Sequence, residues 1–176
     1  MDPFVVPVAT LLRHAGSQAE VSFAAPFDPT GVLAASSLGG SEVLPGADVE
    51  VRLVLTSFLG GIMATGTVVA PWRATCRRCA TELGGALEVD VAERFSPGAG
   101  PDDDEAYPIV DDEIDLGDLV RDAVVLDLPL APLCREDCKG LCGVCGTDRN
   151  EAACGCEPDR DPRWATLDAL RVPDQA

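Results

Sequence analysis

Six of the eight cysteines lie between Cys134 and Cys156, in CREDCKGLCGVCGTDRNEAACGC, and the other two, Cys76 and Cys79, form a CRRC pair upstream. Thiolates are soft anionic ligands, and two short chelating turns that supply four of them close a tetrahedral site around one ion. The spacing here is one C-x3-C, two C-x2-C and one C-x-C, which divides into two four-thiolate sites. Cys142, Cys145, Cys154 and Cys156 make a C-x2-C-x8-C-x-C knuckle that closes locally, as suits a segment too small for its own core. By elimination Cys76, Cys79, Cys134 and Cys138 form the other site, which ties a hairpin turn to a distant part of the chain. Gly140, Gly143, Gly146 and Gly155 sit beside the ligands, where they ease the φ angles a knuckle needs. Zinc is the expected ion at both sites, because paired knuckles suit closed tetrahedral coordination. An iron–sulfur cluster takes the same four thiolates, and spacing does not separate the two.

No catalytic constellation accompanies the cysteines. A closed four-cysteine site has no open position for water or substrate, and there is no glycine-rich phosphate loop. His14, the one histidine, has no Cys-His or Ser-His-Asp set around it and reads as a surface residue near a turn. CRRC can also be read as a free pair or a redox pair. Its place between two strands, not at the start of a helix in a βαβ unit, disfavours the redox reading. The expectation is a protein that is not an enzyme.

The formal charge is -17, from 30 acidic and 13 basic residues. That argues against a general phosphate-binding surface, and so against DNA, because contacts to a nucleic-acid backbone need clustered cations. Such a surface either steers basic partners or reflects acidic proteins in general. Asp102, Asp103, Asp104, Glu105, Asp111, Asp112, Glu113, Asp115 and Asp118 form an acidic run with no basic residue among them. It is either a solvated insertion or a docking segment for a basic partner. The local exception to the negative charge is Arg73, Arg77 and Arg78 with Trp72 beside them. These can contact RNA, Trp72 stacking on a base, or the arginines can pair with the acidic loop. No apolar run approaches 18 residues and no secretory pattern opens the chain, so the expected location is the cytoplasm, where thiols stay reduced.

The elements that must hold these residues are mostly strands. Residues 4–8 suggest a strand that Pro7 confines to an edge, followed by a helical turn at Leu11 and Leu12. Residues 21–25 suggest another strand, and 36–40 a loop. Val49, Val51, Leu53 and Leu55 alternate with Glu50, Arg52, Val54 and Thr56, the pattern of a half-buried strand. Gly60-Gly61 predicts a hairpin turn, with a return strand over 62–72 in which Gly66 marks a bulge. After the CRRC turn, 86–95 alternates again, Leu87, Val89 and Val91 inward, Glu88 and Asp90 outward. Residues 96–113 predict a loop. Residues 114–127 predict an amphipathic helix capped by Asp115, with Leu116, Leu119, Val120, Ala123 and Val124 on one face, ended by Pro129 and Pro132. Asp161-Pro162 predicts the start of a short C-terminal helix with Trp164, Leu167 and Leu170 on one side.

The fold class expected is therefore α+β: a small antiparallel sheet or open barrel with one or two helices and a C-terminal zinc knuckle. Residues 1–133 form the β-rich body and 134–176 the cysteine-rich segment.

The strings TCRRCA, EIDLGDLVRDAVVLDLPLAPLC and CKGLCGVCGTDRNEAACGC, from about Val49 to Cys156, resemble the YceD family, named for large ribosomal RNA subunit accumulation. The first 45 residues carry less of the resemblance. It implies a bacterial or plastid factor that supports synthesis, processing or stability of 23S rRNA, linked to large-subunit ribosomal proteins. Some relatives of this kind lack the distal knuckle, which places the first site with the fold and makes the second an accessory. The family brings a process and no reaction. The partners expected are thus a basic ribosomal protein or a pre-ribosomal particle, with direct rRNA binding and a thiol redox switch as alternatives.

Overall fold

A computed structural model describes residues 2–26, 40–44, 46–100, 105–157 and 163. The strictest alternation in the chain makes β4 (Asp48–Phe58), with Val49, Val51, Leu53 and Leu55 buried. Beside it lie β5 (Gly61–Thr75) on one side and β2 (Gln18–Pro26) on the other, all antiparallel. β6 (Glu82–Ser96) pairs with β5 along its whole length. Its inward face is Leu87 and Val89, half-buried, then Val91 and Phe95, buried. The sheet continues through β7 (Tyr107–Val110) and β8 (Glu113–Asp115) to β1 (Val5–Pro7), in the order β1-β8-β7-β6-β5-β4-β2. β3 (Ser41–Val43) adds to the far end of β5, beyond the reach of β4.

The result is a curled open sheet, a half-barrel with two helices among the described residues. Its edge strands approach each other without a ladder: Phe4, next to β1, meets Phe23 of β2 edge to face, ring centroids 5.2 Å apart. α1 (Ala9–Leu12) is a single turn that buries Leu11. α2 (Leu116–Asp127) packs against β6, β5 and β1 and buries Leu116, Leu119, Val120 and Val124. Asp115 caps it, accepting from the Gly117 N–H at 2.7 Å, and the helix stops at Leu128, before Pro129. Among the described residues no helix is long and apolar enough to cross a membrane.

Four expectations change. The hairpin turn is Leu59-Gly60, one residue early, because Gly61 already pairs with Phe58 while Gly60 takes the positive φ of 113°. Gly66 is not a bulge: the register runs through it from Leu53 to Val91. Glycine is needed there because a Cβ would stand 2.1 Å from the Arg52 carbonyl oxygen, a close backbone approach. Residues 96–113 are not all loop. β7 pairs parallel to the end of β6 and turns into β8 through Asp111 and Asp112, both at positive φ (51° and 61°), the geometry of a type I′ hairpin turn. Ile114 accordingly belongs to β8, and α2 starts two residues later than the periodicity suggests. Apart from Arg163, the expected C-terminal helix lies outside the described residues, as do residues 36–39 of the expected loop.

Candidate metal centres

The β5–β6 hairpin ends in the CRRC turn, since Thr75 and Glu82 are the last pair of the ladder. The chain that leaves α2 returns to this tip: the Arg77 N–H donates to the Pro132 carbonyl at 3.0 Å, and the Leu141 N–H to the Arg78 carbonyl at 2.8 Å. The return brings together Cys76, Cys79, Cys134 and Cys138 as one group and Cys142, Cys145, Cys154 and Cys156 as another. Within each group all four sulfurs lie within 4.8 Å of one another. Cys76 and Cys138 sulfurs are 3.9 Å apart, Cys79 and Cys134 sulfurs 3.6 Å. Sulfurs at about 2.3 Å from a tetrahedral ion are about 3.8 Å from each other, so the first cage has the size of one four-coordinate ion. All eight cysteines are free thiols. Cys76, Cys79 and Cys138 are buried and pack with Leu83, apart from the main core, whereas the second site is more open, with Cys145 and Cys156 exposed.

The two C-x2-C turns are built alike. In Cys76-Arg-Arg-Cys79-Ala80-Thr81 the first cysteine N–H donates to the Thr81 carbonyl (2.8 Å) and the Ala80 N–H returns to the Cys76 carbonyl (2.9 Å). In Cys142-Gly-Val-Cys145-Gly146-Thr147 the same two bonds run from Cys142 to Thr147 (2.8 Å) and from Gly146 to Cys142 (2.9 Å). The residue after the second cysteine is left-handed in both, Ala80 at 59° and Gly146 at 73°. Each threonine hydroxyl lies against the second sulfur, at 3.1 Å in Thr81–Cys79 and 3.2 Å in Thr147–Cys145. The repeated C-x-x-C-[AG]-T was present in the sequence to find. Of the flanking glycines, Gly140 is the confined one. At φ 71° it lies so close to the first turn that a Cβ would be 2.8 Å from the Arg78 oxygen. Gly143 and Gly155 have open space around them and no positive φ.

Proton affinities within each cage are split. The backbone N–H of Cys79 lowers the Cys76 thiol to about 6, and the Thr147 hydroxyl lowers Cys145 to about 6. Their neighbours move the other way: the hydrogen bond to Cys138 raises Cys134 to about 12, and that to Cys145 raises Cys156 to about 12. Burial opposes ionisation of Cys138, but the Asn150 amide and the Gly140 N–H outweigh it and lower that thiol. The arrangement is that of thiols donating to adjacent thiolates, since four negative charges cannot share so small a volume. A cation at the centre reverses that balance and lets all four ionise.

Asn150 is a residue that spacing did not reveal. Its Nδ2 donates to the Cys138 sulfur at 3.4 Å and to Asp148 Oδ1 at 2.6 Å, while its Oδ1 accepts from the Lys139 N–H at 2.8 Å.

The residues considered for RNA contact are mostly engaged. Trp72 is half-buried against the core, and Arg73 pairs with Glu42 of β3 at 2.5 Å, not with the acidic loop. Arg78 Nη1 donates to the carbonyls of Cys138 (2.9 Å) and Glu136 (3.3 Å). Arg77 is exposed, and its side chain has no partner among the described residues. Of the acidic residues, Asp111 and Asp112 form the β7–β8 turn, Glu113 starts β8, Glu105 precedes β7, and Asp102, Asp103 and Asp104 lie outside the described residues. His14 is exposed and belongs to neither cysteine group; its carbonyl accepts from Ser57 Oγ at 2.8 Å.

A family profile described as "Large ribosomal RNA subunit accumulation protein YceD" matches residues 64–171, a span that contains both cysteine groups. An uncharacterized protein of Mycobacterium tuberculosis (strain ATCC 25618 / H37Rv) is 34% identical over 177 residues, covering 98% of this chain and 83% of that one. An uncharacterized protein of Mycobacterium leprae (strain TN) is 36% identical over 135 residues, 73% of this chain and 62% of its own. A Zea mays protein named "Large ribosomal RNA subunit accumulation protein YCED homolog 1, chloroplastic" is 40% identical over 58 residues, 32% of this chain and 20% of its own. No solved structure matches. With a profile match over most of its length and both cysteine groups inside it, this chain belongs to the YceD family.

Proposed function

We propose that this chain is a non-enzymatic ribosome-biogenesis factor that supports 23S rRNA synthesis, processing or accumulation in the cytoplasm. It does so by holding a basic large-subunit ribosomal protein, alone or within a pre-ribosomal particle. The observation that carries the reading is the family match over residues 64–171. Charge supports the choice of partner. The protein carries -17 overall, and Glu20, Glu88, Asp90, Asp111, Asp112 and Glu113 are exposed, a field that attracts cations at long range. A pull-down of the tagged protein from cells, with and without RNase, tests it. Large-subunit proteins retained after RNase are the expected result; recovery of no ribosomal component under either condition refutes it.

Both cysteine cages hold zinc in this reading. Four thiolates and no vacant ligand position suit a structural zinc site. Cages this small favour one ion over a cluster of several irons with their sulfides. A single iron takes the same ligands, and metal analysis of the purified protein separates the two.

The second reading, direct rRNA contact, rests on Arg77, which is exposed and whose side chain has no partner among the described residues. In that case every ribosomal component is lost on RNase treatment, and Arg77→Glu abolishes recovery. A thiol redox switch is a weaker alternative. It requires labile cysteines and activity in an insulin-reduction assay, and tightly held stoichiometric metal excludes it.

A further inference from the structure

We propose that the two metal centres are a coupled pair, and that Asn150 is the positioning residue through which the second centre supports the first; this rests on the reading of both cages as metal sites. Asn150 lies in the loop between Cys145 and Cys154, so the second site's ion shapes the segment that carries it. Its side chain nevertheless serves the first site. One amide hydrogen points at the Cys138 sulfur (3.4 Å), and its oxygen takes the N–H of Lys139, the residue after that ligand (2.8 Å). Asp148 fixes the amide from behind, accepting from both Nδ2 (2.6 Å) and the Asn150 N–H (2.8 Å). The backbone repeats the connection: Arg149 N–H donates to the Gly140 carbonyl at 2.9 Å, and Leu141 bridges to Asp148. The contacts to Cys138, Lys139, Gly140 and Leu141 join the second site's loop to the segment 138–141 that closes the first, while the Asp148–Asn150 bonds brace that loop from within.

An N–H donated to a metal-bound sulfur holds the ligand in place and stabilises its charge, and loss of such a partner costs typically 10–100-fold in metal affinity. Coupling between two binding sites is also reciprocal. Emptying the second centre therefore loosens the first, although the four ligands of the first are untouched.

The test titrates zinc-loaded full-length protein against a chromophoric chelator. Wild type must first show two ions per chain; fewer would overturn the metal reading itself, before any variant is compared. Cys154→Ser with Cys156→Ser leaves the first site alone, and its affinity is expected to fall about tenfold below that of the same site in the wild-type chain. Asn150→Ala in the full chain is expected to lower the combined affinity of the pair by a similar factor. Adding it to the double serine variant is expected to change nothing further. With 113Cd in both sites, the resonance that survives in the double serine variant belongs to the first site, and Asn150→Ala is expected to shift it. Asn150→Asp, which keeps the acceptor for Lys139 and loses the donor to sulfur, is expected to shift it too. The proposal is overturned if the first site holds zinc equally well with the second destroyed. It is also overturned if Asn150→Ala moves only the other cadmium resonance, since Asn150 would then serve its own loop.

Discussion

Replacing Gly140 by alanine tests whether the first metal centre depends on the close approach between the hairpin tip and the chain leaving α2. Gly140 has φ 71°, and an added Cβ would meet the Arg78 oxygen at 2.8 Å and the Arg78 Cβ at 3.2 Å. Alanine in the left-handed region costs roughly 1 kcal/mol. The oxygen it would strike is backbone and already accepts from the Leu141 N–H at 2.8 Å. Relief of the clash therefore stretches that bond, whose loss costs about 1 kcal/mol. The sum, about 2 kcal/mol, is roughly a thirtyfold change in an equilibrium constant. It should appear as weaker zinc binding where the metal-free chain already releases this contact, and as lower thermal stability where it does not. Chelator competition and thermal unfolding of the same samples capture both. Gly143→Ala is the control, because nothing lies within 4 Å of its added Cβ and its φ is not positive. If Gly140→Ala matches Gly143→Ala in both assays, the approach of the two segments does not hold the site together.

Three further outcomes are expected. Metal loading near pH 8 releases at least one proton from each site, because Cys134 and Cys156 stand at about 12 in the metal-free chain. Calorimetry in buffers of different ionisation enthalpy counts those protons. Affinity must rise with pH, and fall more steeply once pH drops through about 6, where Cys76 and Cys145 also take up protons; a pH-independent affinity would contradict this. Thr147→Val removes the hydroxyl that is the main cause of the low Cys145 pKa, so alkylation of metal-free protein at that thiol needs a higher pH. Asp115→Ala removes the cap on the Gly117 N–H and should cost about 1 kcal/mol in denaturant unfolding, with zinc content unchanged.

The sheet was legible where side chains alternate, because a strand with one face buried writes its period into the sequence. Val49 to Leu55 and Leu87 to Val91 show this. The β7–β8 hairpin was not, for a physical reason. Its strands are short, its pairing with β6 is parallel and non-local, and its turn is two aspartates that look like solvated charge until their φ angles are known. β3 was hidden similarly: three residues in a stretch rich in proline and glycine, paired with β5 only where β4 has ended. The second cysteine group followed from spacing because its knuckle is local, and the first followed by elimination, its two pairs standing far apart in the chain. The residues that surround the sulfurs did not follow, since Asn150 reaches Cys138 across a fold in the chain that no short pattern encodes.

The two centres also differ in what must exist before they can close. Cys145 and Cys154 are nine positions apart, whereas Cys79 and Cys134 are 55 apart. Closure entropy grows only logarithmically with loop length, about 0.6 kcal/mol per doubling, so the longer reach costs the first site only about 1.6 kcal/mol more in a flexible chain. That is too little to separate them. The larger difference is that the ligands of the first site are presented by folded parts: a hairpin tip at the end of the β5–β6 ladder, and a segment aimed by α2, whose buried face docks on the same sheet. The first ion therefore reports on the assembled half-barrel, while the second has all four ligands on one loop, so loss of the first weakens it by the coupling factor without dismantling it. Mutations that loosen the core without touching a cysteine separate the two. Phe95→Ala, at a fully buried position under the sheet, should cost about 3–5 kcal/mol of stability and release the first ion at temperatures where the second is still held. Simultaneous loss of both ions on thermal release would mean that the second site is as dependent on the body as the first.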